Sequence, residues 1–122
     1  MSTAAVDIEE VVHAPAEGTV QGYFKVKETA GNLLRIVGWA FSEGAEAPSI
    51  EVMAKDEVVG SATPQILRPD VAELFPGVEA ALPSGFEIAL EAHGSGRSEL
   101  EVEAVLPGGS RQHLGRITVV VE

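Results

Sequence analysis

Leu33-Leu34-Arg35-Ile36-Val37-Gly38-Trp39-Ala40-Phe41 is apolar on both parities: Leu33, Val37, Trp39 and Phe41 on one, Leu34, Ile36, Gly38 and Ala40 on the other. Successive side chains of a strand point to opposite faces, so a strand written this way is covered on both sides and sits centrally in its sheet. The small residues Gly38 and Ala40 leave room for something to lie closely against the second face.

On either side of this segment the pattern changes to strict alternation. Val20, Gly22, Phe24 and Val26 alternate with Gln21, Tyr23, Lys25 and Lys27. The same period of two recurs at Ile50, Val52 and Ala54, at Phe86, Ile88 and Leu90, at Leu100, Val102, Ala104 and Leu106, and at Ile117, Val119 and Val121. Such runs are strands half-buried against a core. Turn formers separate them: Gly31-Asn32, Gly44 to Pro48, Lys55-Asp56-Glu57, Gly94-Ser95-Gly96 and Pro107-Gly108-Gly109. Gly and Asn accept positive φ and Pro presets a corner, so each break has a mechanism. Evenly spaced short strands favour a sandwich over a βα repeat. The expectation is an all-β sandwich of about seven antiparallel strands spanning residues 19–122. Residues 1–18 form a lead-in whose apolar patch (Val6, Ile8, Val11, Val12) could add an edge strand.

One helical turn interrupts the strands near residues 69–75. Pro69 suits the first helical position, Asp70 and Glu73 place acids where the helix dipole is positive, and Pro76 stops propagation. Val71, Leu74 and Phe75 share a face at i, i+3, i+4 spacing, which makes the turn a plug over one edge or end of the sandwich.

Composition limits the partners. A chain of 122 residues fits one domain and buries roughly 65–70% of its unfolded surface. With no cysteine there are no disulfides and no thiolate metal ligands. The formal net charge of −11, with eight Lys and Arg and no cluster of them in sequence, opposes nucleic acid and anionic membranes. No apolar run approaches the ~20 residues of a membrane span, and the first residues lack the basic and apolar regions of a secretion signal. The chain is therefore expected to be cytoplasmic if complete, and from the cell envelope or extracellular if a fragment.

Gly38-Trp39-Ala40-Phe41, the strand Ile50 to Ala54, the Val58-Val59-Gly60 return, Arg68-Pro69-Asp70-Val71, Phe75-Pro76-Gly77 and Ser84-Gly85-Phe86 occur in an order that resembles a bacterial immunoglobulin-like β-sandwich module. The resemblance covers roughly residues 19–121. Modules of that kind recur in cell-surface proteins and beside glycosyltransferases and other carbohydrate-active enzymes. The resemblance implies a non-catalytic sandwich that spaces domains or contacts proteins or glycans, with no catalytic residue to transfer.

The residues themselves offer few reactive constellations. His13, His93 and His113 lie far apart with no i, i+4 pair, and no spaced Asp/Asn series marks a Ca²⁺ loop, so neither metal nor cofactor is expected. His93-Gly94-Ser95-Gly96-Arg97-Ser98 connects two strand patterns, whereas a phosphate loop or nucleophile elbow needs a strand leading into a helix; it reads as a hairpin. A glycosidase-like or metal-dependent enzyme is the remote alternative. Trp39, Phe41, Phe75 and Phe86 read as structural core. Tyr23, whose parity neighbours are Gln21, Lys25 and Lys27, is the exposed aromatic and a candidate binding contact. Arg68 and Asp70 are the other two candidates: either they brace the helical turn, or they rim a ligand groove built from loops. A dedicated carbohydrate-binding module using Tyr23 and the loops after Phe41 and Ala62 is the second functional reading.

The acidic stripe Glu99, Glu101, Glu103, with Glu87 and Glu91 expected on a neighbouring strand, reads as a solvated face or as a dock for a basic partner. The last strand, Ile117 to Val121, reads as an exposed edge that could pair with a second copy, giving a monomer or weak homodimer.

Overall fold

The computed structural model describes residues 6–15, 18–42, 47–92 and 95–121, leaving aside the side chains of residues 28–30. His93 and parts of the expected turns at 44–48 and 94–96 lie outside the described residues. The strands are β1 (Val6–His13), β2 (Val20–Ala30), β3 (Leu33–Ser42), β4 (Ser49–Ala54), β5 (Glu57–Ala62), β6 (Gly85–Glu91), β7 (Gly96–Val105) and β8 (Arg111–Val121). Between β5 and β6 come the helix α1 (Pro69–Leu74) and a 3₁₀ turn, Glu79–Ala81.

The fold is all-β: two antiparallel sheets, one ordered β1-β8-β7-β4-β5 and the other β2-β3-β6, packed face to face. Alternation fills the space between them. Phe24, Leu34 and Ile36 from the three-stranded sheet meet Ile50, Val52, Val102 and Ile117 from the five-stranded one, all fully buried. The lead-in residues supply the eighth strand, β1, which pairs antiparallel with β8 from Val6↔Val121 to His13↔Gly115.

That pairing corrects one expectation. β8 is not an edge; it lies between β1 and β7, hydrogen-bonded on both sides. Its apolar character on both parities is the mark of an interior strand, as at β3. β7 begins at Gly96, so Arg97 and Ser98 are strand residues and do not belong to a connecting hairpin.

The edge of β2 that faces away from β3 is blunted by side chains from the opposite sheet. Gln112 of β8 accepts from the Val20 N–H (3.0 Å) and donates to the Val20 carbonyl (2.9 Å), reproducing the two bonds of a neighbouring strand. His13 of β1 lies with its Nε2 2.7 Å from the Phe24 carbonyl. Occupied groups of this kind remove a template for strand addition.

Gly38 lies opposite Phe24 on β2 and Phe86 on β6. A Cβ there would run into the Tyr23 carbonyl oxygen, and would stand 2.9 Å from Phe24 Cα and 3.0 Å from Phe86 Cζ. Two of those three atoms are backbone, which no rotamer change can move. Gly38→Ala is therefore expected to destabilise the fold by about 1–3 kcal/mol, read as a lower urea midpoint at unchanged slope. An unchanged midpoint would contradict the close packing at this point.

A second, smaller core lies on the outer face of the three-stranded sheet, under α1 and the 3₁₀ turn. Phe41, Val71 and Ala81 are buried there, with Trp39, Phe75, Val78 and Ala80 packed around them. Phe75 meets Phe41 edge-on at 4.9 Å, and Trp39 lies 5.9 Å from Phe41 and 5.7 Å from Phe75 between ring centroids. Trp39 is thus half-buried beneath the plug, outside the inter-sheet core, where Phe86 does sit. Leu74 departs from the expected apolar face: it is 69% exposed. The helix ends after six residues, and the contact is made by Val71 and by Phe75 at the C-cap.

Candidate functional site

Antiparallel register lays three rows of side chains across the outer face of the three-stranded sheet. Lys27 and Arg35 face each other across the hairpin that turns at Gly31-Asn32, with Ala89 beyond. Lys25, Val37 and Glu87 form the second row, and Tyr23, Trp39 and Gly85 the third. A shallow groove runs over these rows in two adjoining lobes that share Lys25, Val37, Gly38 and Arg68, with volumes of about 280 Å³ and 120 Å³. Tyr23 and Trp39 line the smaller lobe; Lys27, Ile66 and Glu87 line the larger.

Arg68 reaches the groove because Gly85 lets the chain approach. The Gly85 N–H donates to the Ile66 carbonyl (2.8 Å), and the Gln65 and Ile66 N–H groups both donate to the Gly85 carbonyl (3.0 Å each). A Cβ on Gly85 would stand 2.9 Å from Ile66 Cβ and from Arg68 Cγ, so any larger residue would push this segment off the sheet. The Arg68 N–H donates to the Leu82 carbonyl at 2.7 Å, and the Ser84 hydroxyl, buried, donates to Ala81 O at 2.6 Å. Ser84-Gly85-Phe86 therefore has three distinct tasks: Ser84 closes the 3₁₀ turn, Gly85 admits the Arg68 segment, and Phe86 fills the inter-sheet core.

The candidates Arg68 and Asp70 are joined. Arg68 Nε and Nη2 donate to Asp70 Oδ1 (2.9 Å) and Oδ2 (2.8 Å), a bidentate pair, while Nη1 points to the Gly38 carbonyl at 3.4 Å. These hydrogen bonds, aided by the guanidinium charge and opposed by desolvation, hold the Asp70 carboxyl at about 2. Asp70 binds its proton less readily folded than unfolded. The pair's contribution to stability is thus full above the ordinary carboxylate pKa and is lost as pH falls from about 4 through about 2. A carbon-detected NMR titration is expected to place the Asp70 midpoint at about 2 and, in Arg68→Ala, near the ordinary carboxylate value. An ordinary midpoint in the unaltered chain would contradict the pairing.

Tyr23 is 48% exposed and held in place by His13, whose ring stacks on it at 4.6 Å and 13°. The third candidate therefore lines the same groove as Arg68, with Asp70 fixing Arg68 from behind. Sequence reasoning found no basic cluster, and here the fold corrects it. Of the eight Lys and Arg in the chain, Lys25, Lys27, Arg35 and Arg68 share this one face. Arg35 pairs with Glu87 at 3.0 Å, whereas among the described residues neither Lys25 nor Lys27 has an acidic partner. The same side of the molecule also carries Glu87 and Glu91 of β6, Asp70 and Glu73 of α1 and Glu79 of the 3₁₀ turn, so the face is mixed in charge, with its two lysines side by side on β2.

The acidic stripe lies on the opposite side of the molecule. Glu99, Glu101 and Glu103 belong to β7 of the five-stranded sheet, whereas Glu87 and Glu91 belong to β6 of the other, so the expected single acidic face does not form. β8 supplies partners to the stripe: Arg111 bridges Glu103 (2.9 Å) and Glu51 (2.8 Å), His113 Nε2 is 3.3 Å from Glu101, and Arg116 is 4.0 Å from Glu99. Among the described residues no group of three or more His, Asp and Glu is placed to hold a metal ion. No helix there is long and apolar enough to cross a membrane.

Comparison with protein-family models, with curated proteins and with solved structures finds no match to this chain.

Proposed function

We propose that this chain is a non-catalytic, immunoglobulin-like interaction module that makes its contact through the outer face of the three-stranded sheet. The observation that carries this reading is the groove itself: an exposed tyrosine, a half-buried tryptophan and an arginine held by the Asp70 carboxylate line it, beside two lysines of β2. Fixed aromatic and guanidinium groups suit recognition, since little conformational freedom is lost when they engage. The order of motifs from Gly38-Trp39-Ala40-Phe41 to Ser84-Gly85-Phe86 supports a setting in a bacterial surface or polysaccharide-related protein.

Between a protein and a glycan partner, the groove favours a glycan. It is shallow and lined by aromatic rings beside charged and backbone polar groups, which matches a ligand with C–H faces and a hydroxyl rim. Calorimetric titration against a panel of neutral and charged oligosaccharides is expected to give saturable heat with at least one, weakened about tenfold or more by Tyr23→Ala. Binding that Tyr23→Ala leaves unchanged, or no binding across the panel, would contradict the assignment.

A further inference from the structure

The charge on the groove identifies a ligand class, and this step rests on the glycan reading above. We propose that the outer face of the three-stranded sheet binds a carboxylate-bearing saccharide chain, a polymer of uronate units. Lys25 and Lys27 provide the electrostatic contacts and Tyr23 with Trp39 the stacking surface.

Three observations favour this class. The first is a pair of lysines left over from ion pairing: Lys25 and Lys27 stand side by side on β2 beside the groove and have no acidic partner among the described residues. Unpaired ammonium groups beside a groove attract an anion and add to its encounter rate. The second is spacing. Lys25 and Lys27 are alternate residues of β2, so their Cα atoms are about 7 Å apart. That suits a polymer bearing one carboxylate per sugar ring better than duplex nucleic acid, which carries one charge per about 1.7 Å of axis. The third is the state of the neighbouring strand edge. An acidic peptide commonly docks by adding a strand, and along this edge Gln112 occupies both backbone groups of Val20 and His13 the Phe24 carbonyl, which obstructs such a strand. A saccharide needs no strand edge. Sugar C–H groups carry partial positive charge and pack on the negative faces of aromatic rings, as Tyr23 and Trp39 permit.

Glu87 lines the larger lobe and would oppose an anion there, but its carboxylate is engaged by Arg35. Arg68 directs Nη1 to the Gly38 carbonyl in the groove floor, while Asp70 engages Nε and Nη2. The favourable charges on the ligand path are therefore the two lysines, and the test is directed at them.

The experiment titrates the full chain with oligogalacturonate and oligomannuronate, with a neutral galactose oligomer of matched length, and with oligoglutamate. Each is repeated on Lys25→Gln/Lys27→Gln, whose replaced side chains are exposed and leave both cores intact. Saturable binding of at least one uronate oligomer is expected, weakened about tenfold both by the double substitution and by raising NaCl from about 20 to about 300 mM, with the neutral oligomer weaker still. Equal binding of the neutral oligomer, abolished by Tyr23→Ala, would overturn the uronate assignment and leave the glycan reading standing. Preference for oligoglutamate would overturn both in favour of an acidic peptide. No saturable binding of either uronate, or binding that survives the loss of both lysines, would overturn the inference as well.

Discussion

Phe24→Ala is expected to remove about 3–5 kcal/mol of stability, a large part of the ~5–15 kcal/mol of a domain this size. Phe24 is fully buried and spans the sandwich from the edge strand β2. Its ring reaches Gly115 on β8 so closely that a Cβ there would stand 2.7 Å from Cε1 and Cζ. Removing the ring opens a void between the sheets that neither backbone can close, because each strand is fixed by its own ladder. Chemical denaturation followed by far-ultraviolet circular dichroism is the measurement. A loss below about 1 kcal/mol would mean that the sheets do not pack across this ring.

Phe41→Ala is expected to cost a similar amount, about 3–5 kcal/mol, and to act in a different place. Phe41 is 2% exposed beneath α1 and touches both Trp39 and Phe75. Without it the plug loses its central ring while the inter-sheet core keeps every residue. The Trp39 emission should therefore shift to the red, as water reaches the indole, under conditions where the strand signal is retained. Because Arg68 is the N-cap of α1 and borders the groove, ligand affinity should fall with the plug. Unshifted Trp39 emission would contradict the placement of that indole under the plug.

Local pattern revealed the strands because burial on one face imposes a period of two; Phe24, Ile50, Phe86 and Ile117 all point inward as their alternation required. The same logic read the two-sided strand β3 well: Leu34, Ile36 and Ala40 face the inter-sheet core, and Trp39 and Phe41 face the plug. β8 carries an equivalent signal in Thr118, Val119 and Val120, and there the edge reading overlooked it. Which strand neighbours which is decided by the crossovers, and a period of two carries no information about them. Hence Glu87 and Glu91 were expected beside a stripe that lies across the molecule.

The site was legible in part for the same reason. Tyr23, Arg68 and Asp70 stand out by residue type, but their union requires the Ile66–Gly85 bridge, a contact between residues 19 positions apart. Lys25, Lys27 and Arg35 form a cluster only when the Gly31-Asn32 hairpin brings Lys27 against Arg35. That hairpin and the lysine alternation were both visible in the sequence, and counting register back from the turn would have found the pair. Arg68 could not have been added this way, because a 3₁₀ turn and a glycine contact, not strand periodicity, carry it there.

The most direct test of the contact face is amide chemical-shift mapping during titration with a uronate oligomer. Shifts are predicted along Tyr23 to Lys27, Val37 to Trp39 and the Arg68 segment, with the outer face of β7 and β8 silent. Shifts centred on Glu99, Glu101 and Glu103, or spread over the molecule without a focus on the groove, would contradict the account.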